Sequence, residues 1–115
     1  MKLYIKSSQD TISPLDLEPT MSKYAGRWET PSTGWVGLVK FIPDDVKDDG
    51  NNICHLSFIG DNGSVSETLT VWYDPTRGKR PVVVYPEHGM PTNCGTVQEL
   101  DAALRKEFSG MRRVK

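Results

Sequence analysis

The sequence predicts an α+β fold: a curved antiparallel sheet of five or six strands, a β-meander, with one C-terminal amphipathic helix packed on it. Three observations predict it. Several segments alternate apolar and polar residues with period two, as half-buried strands do. Turn sequences separate them, above all Gly60-Asp61-Asn62-Gly63 and Asp74-Pro75-Thr76-Arg77-Gly78. Near the end, Val97, Leu100, Leu104 and Phe108 recur at the spacing of one helical stripe. The 115 residues suit one domain spanning 1–115 and are too few for two ordinary ones.

In chain order, residues 2–6 place Leu3 and Ile5 on one face and Tyr4 and Lys6 on the other, as a strand does. Between Ser7 and Thr20, Pro14 opens a turn after Ser13 and Pro19 is expected to stop it, leaving a loop and a brief helix near 20–24. Residues 27–30 and 34–42 flank Pro31-Ser32-Thr33 and read as a hairpin. In its second strand, Trp35, Val39 and Phe41 share one face and Val36, Leu38 and Ile42 the other, so this strand is expected to be central and covered on both sides. Residues 53–59 set Cys54, Leu56 and Phe58 against His55 and Ser57. Residues 65–73 set Leu69, Val71 and Tyr73 against Ser66, Thr68 and Thr70, and 81–85 closes the meander. Thr96-Val97-Gln98-Glu99 forms a capping box for the helix. Asp101 and Arg105 form an i,i+4 pair, and Gly110 ends the helix.

The net charge of −1 is unevenly spread, with −6 over residues 43–76 and +4 over 77–115. A chain so divided can present one acidic and one basic surface. No apolar run is long enough for a transmembrane helix, and Lys6 interrupts any signal-type stretch, so a cytoplasmic location without membrane contact is expected. Cys54 and Cys94 lack both the paired spacing of a zinc site and the Cys-x-x-Cys of a redox dithiol. Cys54 reads as core; Cys94, between Asn93 and Gly95, reads as nearer the surface, and a bridge between the two is disfavoured in a reducing compartment.

Chemical motifs are scarce. The acidic run Asp44, Asp45, Asp48, Asp49 invites a calcium reading, but aligning an EF-hand on Gly50 puts Lys47 in the ligand row and Leu56 where the bidentate Glu belongs. No metal or other cofactor is expected. No phosphate-cradling loop is present, because Gly60-Asp61-Asn62-Gly63 leads into a strand rather than a helix. The enzymatic alternative, a small hydrolase or nucleotide-handling enzyme, would draw on His88, Cys94 and Asp74, although their spacing matches no thiol-enzyme pattern. The more suggestive cluster is the turn carrying Arg77, Lys79 and Arg80 beside Trp72 and Tyr73. Its cations are expected to converge outside the sheet, with Arg112, Arg113 and Lys115 as a second basic group.

The opening Met1-Lys2-Leu3-Tyr4-Ile5-Lys6-Ser7-Ser8 resembles the first strand of small proteins of phages and mobile elements, among them anti-CRISPR-like inhibitors. That resemblance implies a small non-enzymatic binding protein that occludes a protein or nucleic-acid-binding surface. The resemblance carries over no functional residue; the charge pattern itself supplies the expected contacts, the basic turn Arg77, Lys79 and Arg80 and the acidic loop Asp44, Asp45, Asp48 and Asp49. A protein partner is the first expectation and a nucleic-acid-binding module the alternative; the oligomeric state is left open.

Overall fold

The computed structural model describes residues 10–43 and 52–114. The strand expected at 2–6 and the acidic residues Asp44, Asp45, Asp48 and Asp49 lie outside the described residues. Within them the fold is α+β: one open antiparallel sheet of seven strands and two α-helices. The strands are β1 (Gly26–Thr30), β2 (Trp35–Pro43), β3 (Asn52–Gly60), β4 (Val65–Tyr73), β5 (Val82–Tyr85), β6 (Thr92–Cys94) and β7 (Arg112–Arg113). The helices are α1 (Leu17–Met21) and α2 (Val97–Glu107). Strand order is β6-β5-β4-β3-β2-β1-β7, so β1 to β6 form a simple meander and the chain returns after α2 to pair β7 with β1.

The expected count of five or six strands is therefore exceeded, and α2 is neither the only helix nor the last element. The difference at α1 has a simple cause. Pro19 was expected to end the turn begun at Pro14, yet it is the third residue of α1. The first four N–H groups of a helix have no intrahelical acceptor, so a proline there costs no hydrogen bond.

Alternation in the strands sorts side chains onto two unlike faces. One face carries Trp28, Val39, Leu56, Phe58, Leu69, Val71, Val82 and Val84, and α2 lays Leu100, Leu104 and Phe108 against it. Ile12, Leu17 and Met21 from the α1 region complete this single core. Thr96 caps α2 by accepting from the Glu99 N–H at 3.0 Å. Glu99 reaches back as expected, but one residue further, to the Gly95 N–H at 2.9 Å. Gly37 is demanded by close approach: a Cβ there would collide with the Ile59 carbonyl and the Trp35 ring lying across it.

The opposite face corrects the expectation for β2. No described helix packs on it, and Leu38 and Ile42 stay 39% and 38% exposed. Both faces of β2 are apolar, but among the described residues helices pack on only one of them.

Since Leu100 and Leu104 are fully buried in the helix–sheet contact, Leu100→Ala or Leu104→Ala is expected to cost about 2–5 kcal/mol, the loss typical of a cavity in a packed core. Denaturant midpoints measure this, and a midpoint unchanged in both variants would contradict the packing.

Candidate functional site

The turn between β4 and β5 is held by local hydrogen bonds. The Asp74 N–H donates to the Pro81 carbonyl at 2.8 Å and closes its base. Asp74 Oδ1 accepts from Thr76 Oγ1 at 2.7 Å and Thr76 N at 3.0 Å, and these two bonds hold its carboxyl below the usual value of 3.8. Pro75–Arg77 forms a 3-10 turn, and Gly78 leaves it at φ +68°, a conformation that glycine adopts without a Cβ clash. The tip is then braced against its neighbours. Arg77 donates to Asn93 Oδ1 on β6 at 3.0 Å, and Arg80 lies 3.7 Å from Glu99 on α2.

This geometry changes how the basic cluster reads. Asn93 stands on the open face of the sheet, in register with Val83, whereas Glu99 belongs to the helix on the closed face. Arg77 and Arg80 therefore diverge around the sheet edge instead of converging, and Lys79 has no ion-pair partner among the described residues. All three remain exposed.

The second basic group is elsewhere. The Arg113 guanidinium lies 4.6 Å from the Trp28 ring centroid and donates to the Ala25 carbonyl at 2.8 Å and to the Lys23 carbonyl. Arg112 pairs with Glu29. These cations fasten β7 to the edge of the sheet opposite β6. Six strand intervals of about 4.8 Å separate the two edges by roughly 29 Å, so the basic groups do not form one surface. Lys115 lies outside the described residues.

The residues of the enzymatic alternative are not brought together. Asp74 precedes β5 and His88 follows it, at opposite ends of that strand. His88 is exposed, and its charge acts on Glu67. Burial, then the charges of Glu107 and Glu87, raise the Glu67 carboxyl, and His88 opposes them. Cys94 was read as nearer the surface but is fully buried under α2. Its thiol is pushed up to about 11, by burial first and then by the Glu99 carboxylate. A thiol in that setting is neutral at neutral pH, the reverse of an activated nucleophile. The sequence misplaced it because Asn93 and Gly95 look like turn residues, while burial comes from the helix that begins two residues later. Cys54 and Cys94 stand on β3 and β6, three strands apart, and no disulfide joins them. Among the described residues no group of His, Cys, Asp or Glu could hold a metal ion, and no helix is long and apolar enough to cross a membrane.

A further surface, not identified from the sequence, is the open sheet face. Beside Leu38 and Ile42 it exposes Val65 and Tyr85 at 59% and 37%. The alternation in β2 marked half of it, but a strand pattern does not reveal whether anything packs above. No family model, curated protein or solved structure matches this chain.

The Cys94 environment makes a direct prediction. In the native protein this thiol should react with a disulfide reagent at about pH 8 at least a hundredfold more slowly than in guanidinium. Stopped-flow absorbance follows the reaction, and rapid native labelling at Cys94 would contradict the buried, neutral thiol.

Proposed function

We propose that this chain is a non-enzymatic binding protein, of the kind that inhibits by occluding a surface on a protein partner, with the β4–β5 turn as its charged contact. One observation carries the reading. Arg77, Lys79 and Arg80 are exposed on a turn that Asp74, Thr76, Asn93 and Glu99 hold in shape. A braced turn loses little conformational entropy on docking, which is the advantage of preorganised contacts. Charges so exposed contribute little to folding and are available for steering and for orientation at an acidic surface. The scattered positions of Asp74, His88 and Cys94, and the neutral thiol, support binding over catalysis. The contribution of the acidic run Asp44, Asp45, Asp48 and Asp49 to that contact is part of the same proposal.

The triple variant Arg77→Glu/Lys79→Glu/Arg80→Glu tests it. Each reversal at an exposed site is expected to cost under about 1 kcal/mol of stability, so the melting profile should stay close to wild type. Association with the partner captured by the wild-type chain should weaken, mainly through a slower association rate, and added salt should mimic the substitutions. Surface plasmon resonance at two salt concentrations measures both effects. Unaltered binding by a folded triple variant would remove the turn from the contact. Tight, steeply salt-dependent binding to a nucleic-acid duplex in the absence of a protein partner would assign the nucleic-acid alternative instead.

A further inference from the structure

The hydrogen-bond parity of the meander fixes which way β6 presents its backbone. The Asp74 N–H donates to the Pro81 carbonyl, so the pairs of the same parity, Trp72–Val83 and Thr70–Tyr85, exchange the hydrogen bonds between β4 and β5. Val82 and Val84 then turn their N–H and C=O groups to β6, opposite Cys94 and Thr92. Asn93 and Gly95 therefore point theirs outward, away from the sheet. At Gly95 both groups are used within the chain: its N–H donates to Glu99 Oε1 at 2.9 Å and its carbonyl accepts from the Ile12 N–H at 2.8 Å. Beyond Ile12 the chain enters the 3-10 turn Pro14–Asp16, and no described strand continues alongside β6. At Asn93 neither main-chain group has a partner among the described residues.

A groove of about 320 Å³ lies beside this edge, between β6 and α2. Thr92 and Cys94 line it from the strand, and Glu99, Ala102, Ala103 and Lys106 from the helix. The two alanines carry nothing beyond Cβ, so the space stays open. Its volume is at the small end of the roughly 300–1,000 Å³ of ligand pockets, suited to an apolar side chain rather than a whole cofactor. An unpaired strand edge next to a side-chain pocket is the geometry of recognition by strand addition: backbone bonds hold the segment, and the pocket reads one residue.

Charge selects the occupant. Arg77, bonded to Asn93 Oδ1, borders the edge on the open face. Arg80 and Lys106 border it on the helix side, and the one carboxylate in the groove, Glu99, is engaged by the Gly95 N–H and lies 3.7 Å from Arg80. Seven residues of helix separate Glu99 from Lys106, about 10 Å. Side chains two before and two after a given strand residue share its face and stand about 13 Å apart. An added strand with an apolar side chain in the groove thus carries its same-face neighbours toward Arg80 and Lys106, and its opposite-face neighbours toward Arg77. Acidic residues at those positions each meet a cation. The divergence of Arg77 and Arg80 suits a strand held from both faces. We propose that β6 receives an extended acidic segment of a partner protein, which pairs with the Asn93 backbone and sets one apolar side chain between β6 and α2. This rests on the reading of the β4–β5 turn as the partner contact and specifies the chemistry of that partner.

The probe is a synthetic peptide, acetyl-Ser-Asp-Glu-Leu-Glu-Asp-Ser-amide, titrated into the isotope-labelled full chain and followed by NMR. At saturation the Asn93 amide should shift and its hydrogen exchange should slow at least about fivefold. Replacing the Leu of the peptide by Ser, or N-methylating its two Glu amides, should each weaken binding about tenfold or more. Lys106→Glu, at an exposed helix position, should weaken it as well while circular dichroism stays that of the wild type. An Asn93 amide already protected in the free chain overturns the proposal, because the chain itself or a second copy then covers the edge. An Asn93 amide indifferent to the peptide overturns it too. Equal binding of the Ser-containing or N-methylated peptide does the same, since charge alone then accounts for the association. Each of these failures leaves the turn contact standing, because the triple variant is scored against the captured protein and not against the peptide.

Discussion

The Phe108 ring is the point on which the rest of this structure depends. It sits at the C-terminal cap of α2, where its centroid lies 4.6 Å from that of Trp28 on β1, 4.8 Å from Tyr24 in the turn before β1, and 5.2 Å from Phe58 on β3. Four rings from four elements meet there, each removing a large apolar area from water and adding the offset contacts that aromatic pairs favour. The polar edges of the rings are satisfied locally: the Trp28 indole donates to the Tyr24 carbonyl at 2.8 Å, and the Tyr24 hydroxyl donates to Asp101 Oδ1 at 2.8 Å. The cluster thereby fixes where α2 ends, on which face it lies and how the α1 segment meets it.

Other features follow from that anchorage. Asp101, about two helical turns before Phe108, gathers Lys23 at 3.0 Å and Arg105 at 2.7 Å as well as Tyr24. Partial burial would raise its carboxyl, but the hydrogen bonds from Lys23 and Tyr24, with the charges of Lys23 and Arg105, hold it below 3.8. The contribution of this junction is complete above the ordinary carboxylate range and fades as pH falls through the depressed value. Arg113 covers the outer face of Trp28, so the last strand closes the cluster. Because every described helix is drawn to this one side, no described helix packs on the second face of the sheet. The basic turn, held at the β6 edge, is set apart from both.

Much of this was legible in the sequence, and the part that was not has a physical reason. Strand β4 and the apolar stripe of α2 were evident because period-two alternation and helical spacing are local properties. Thr92–Cys94 escaped notice because three residues are too few to show a period, and Arg112–Arg113 because two exposed arginines pair only in the presence of Trp28 and Glu29. The contact between Trp28 and Phe108 joins positions eighty residues apart, which no window of sequence can hold. Of the candidate site, the residues Arg77, Lys79 and Arg80 and the turn that bears them were readable. Their divergence toward Asn93 and Glu99 was not, since it is set by which neighbours the meander brings to that edge. The burial of Cys94 was hidden for the same reason. Leu38 and Ile42 carried a true apolar pattern, but alternation states only that a face is apolar and says nothing of what lies on it.

The claim that the aromatic cluster acts as one unit is open to direct measurement by a double-mutant cycle on Phe108 and Trp28. Phe108→Leu, Trp28→Leu and the double variant would be compared by equilibrium denaturation. If the two rings act through one another, the double variant should lose less stability than the two single losses added, with a coupling of about 0.5–1.5 kcal/mol. Additive losses, within experimental error, would show that helix and sheet are held by independent contacts and would contradict the account.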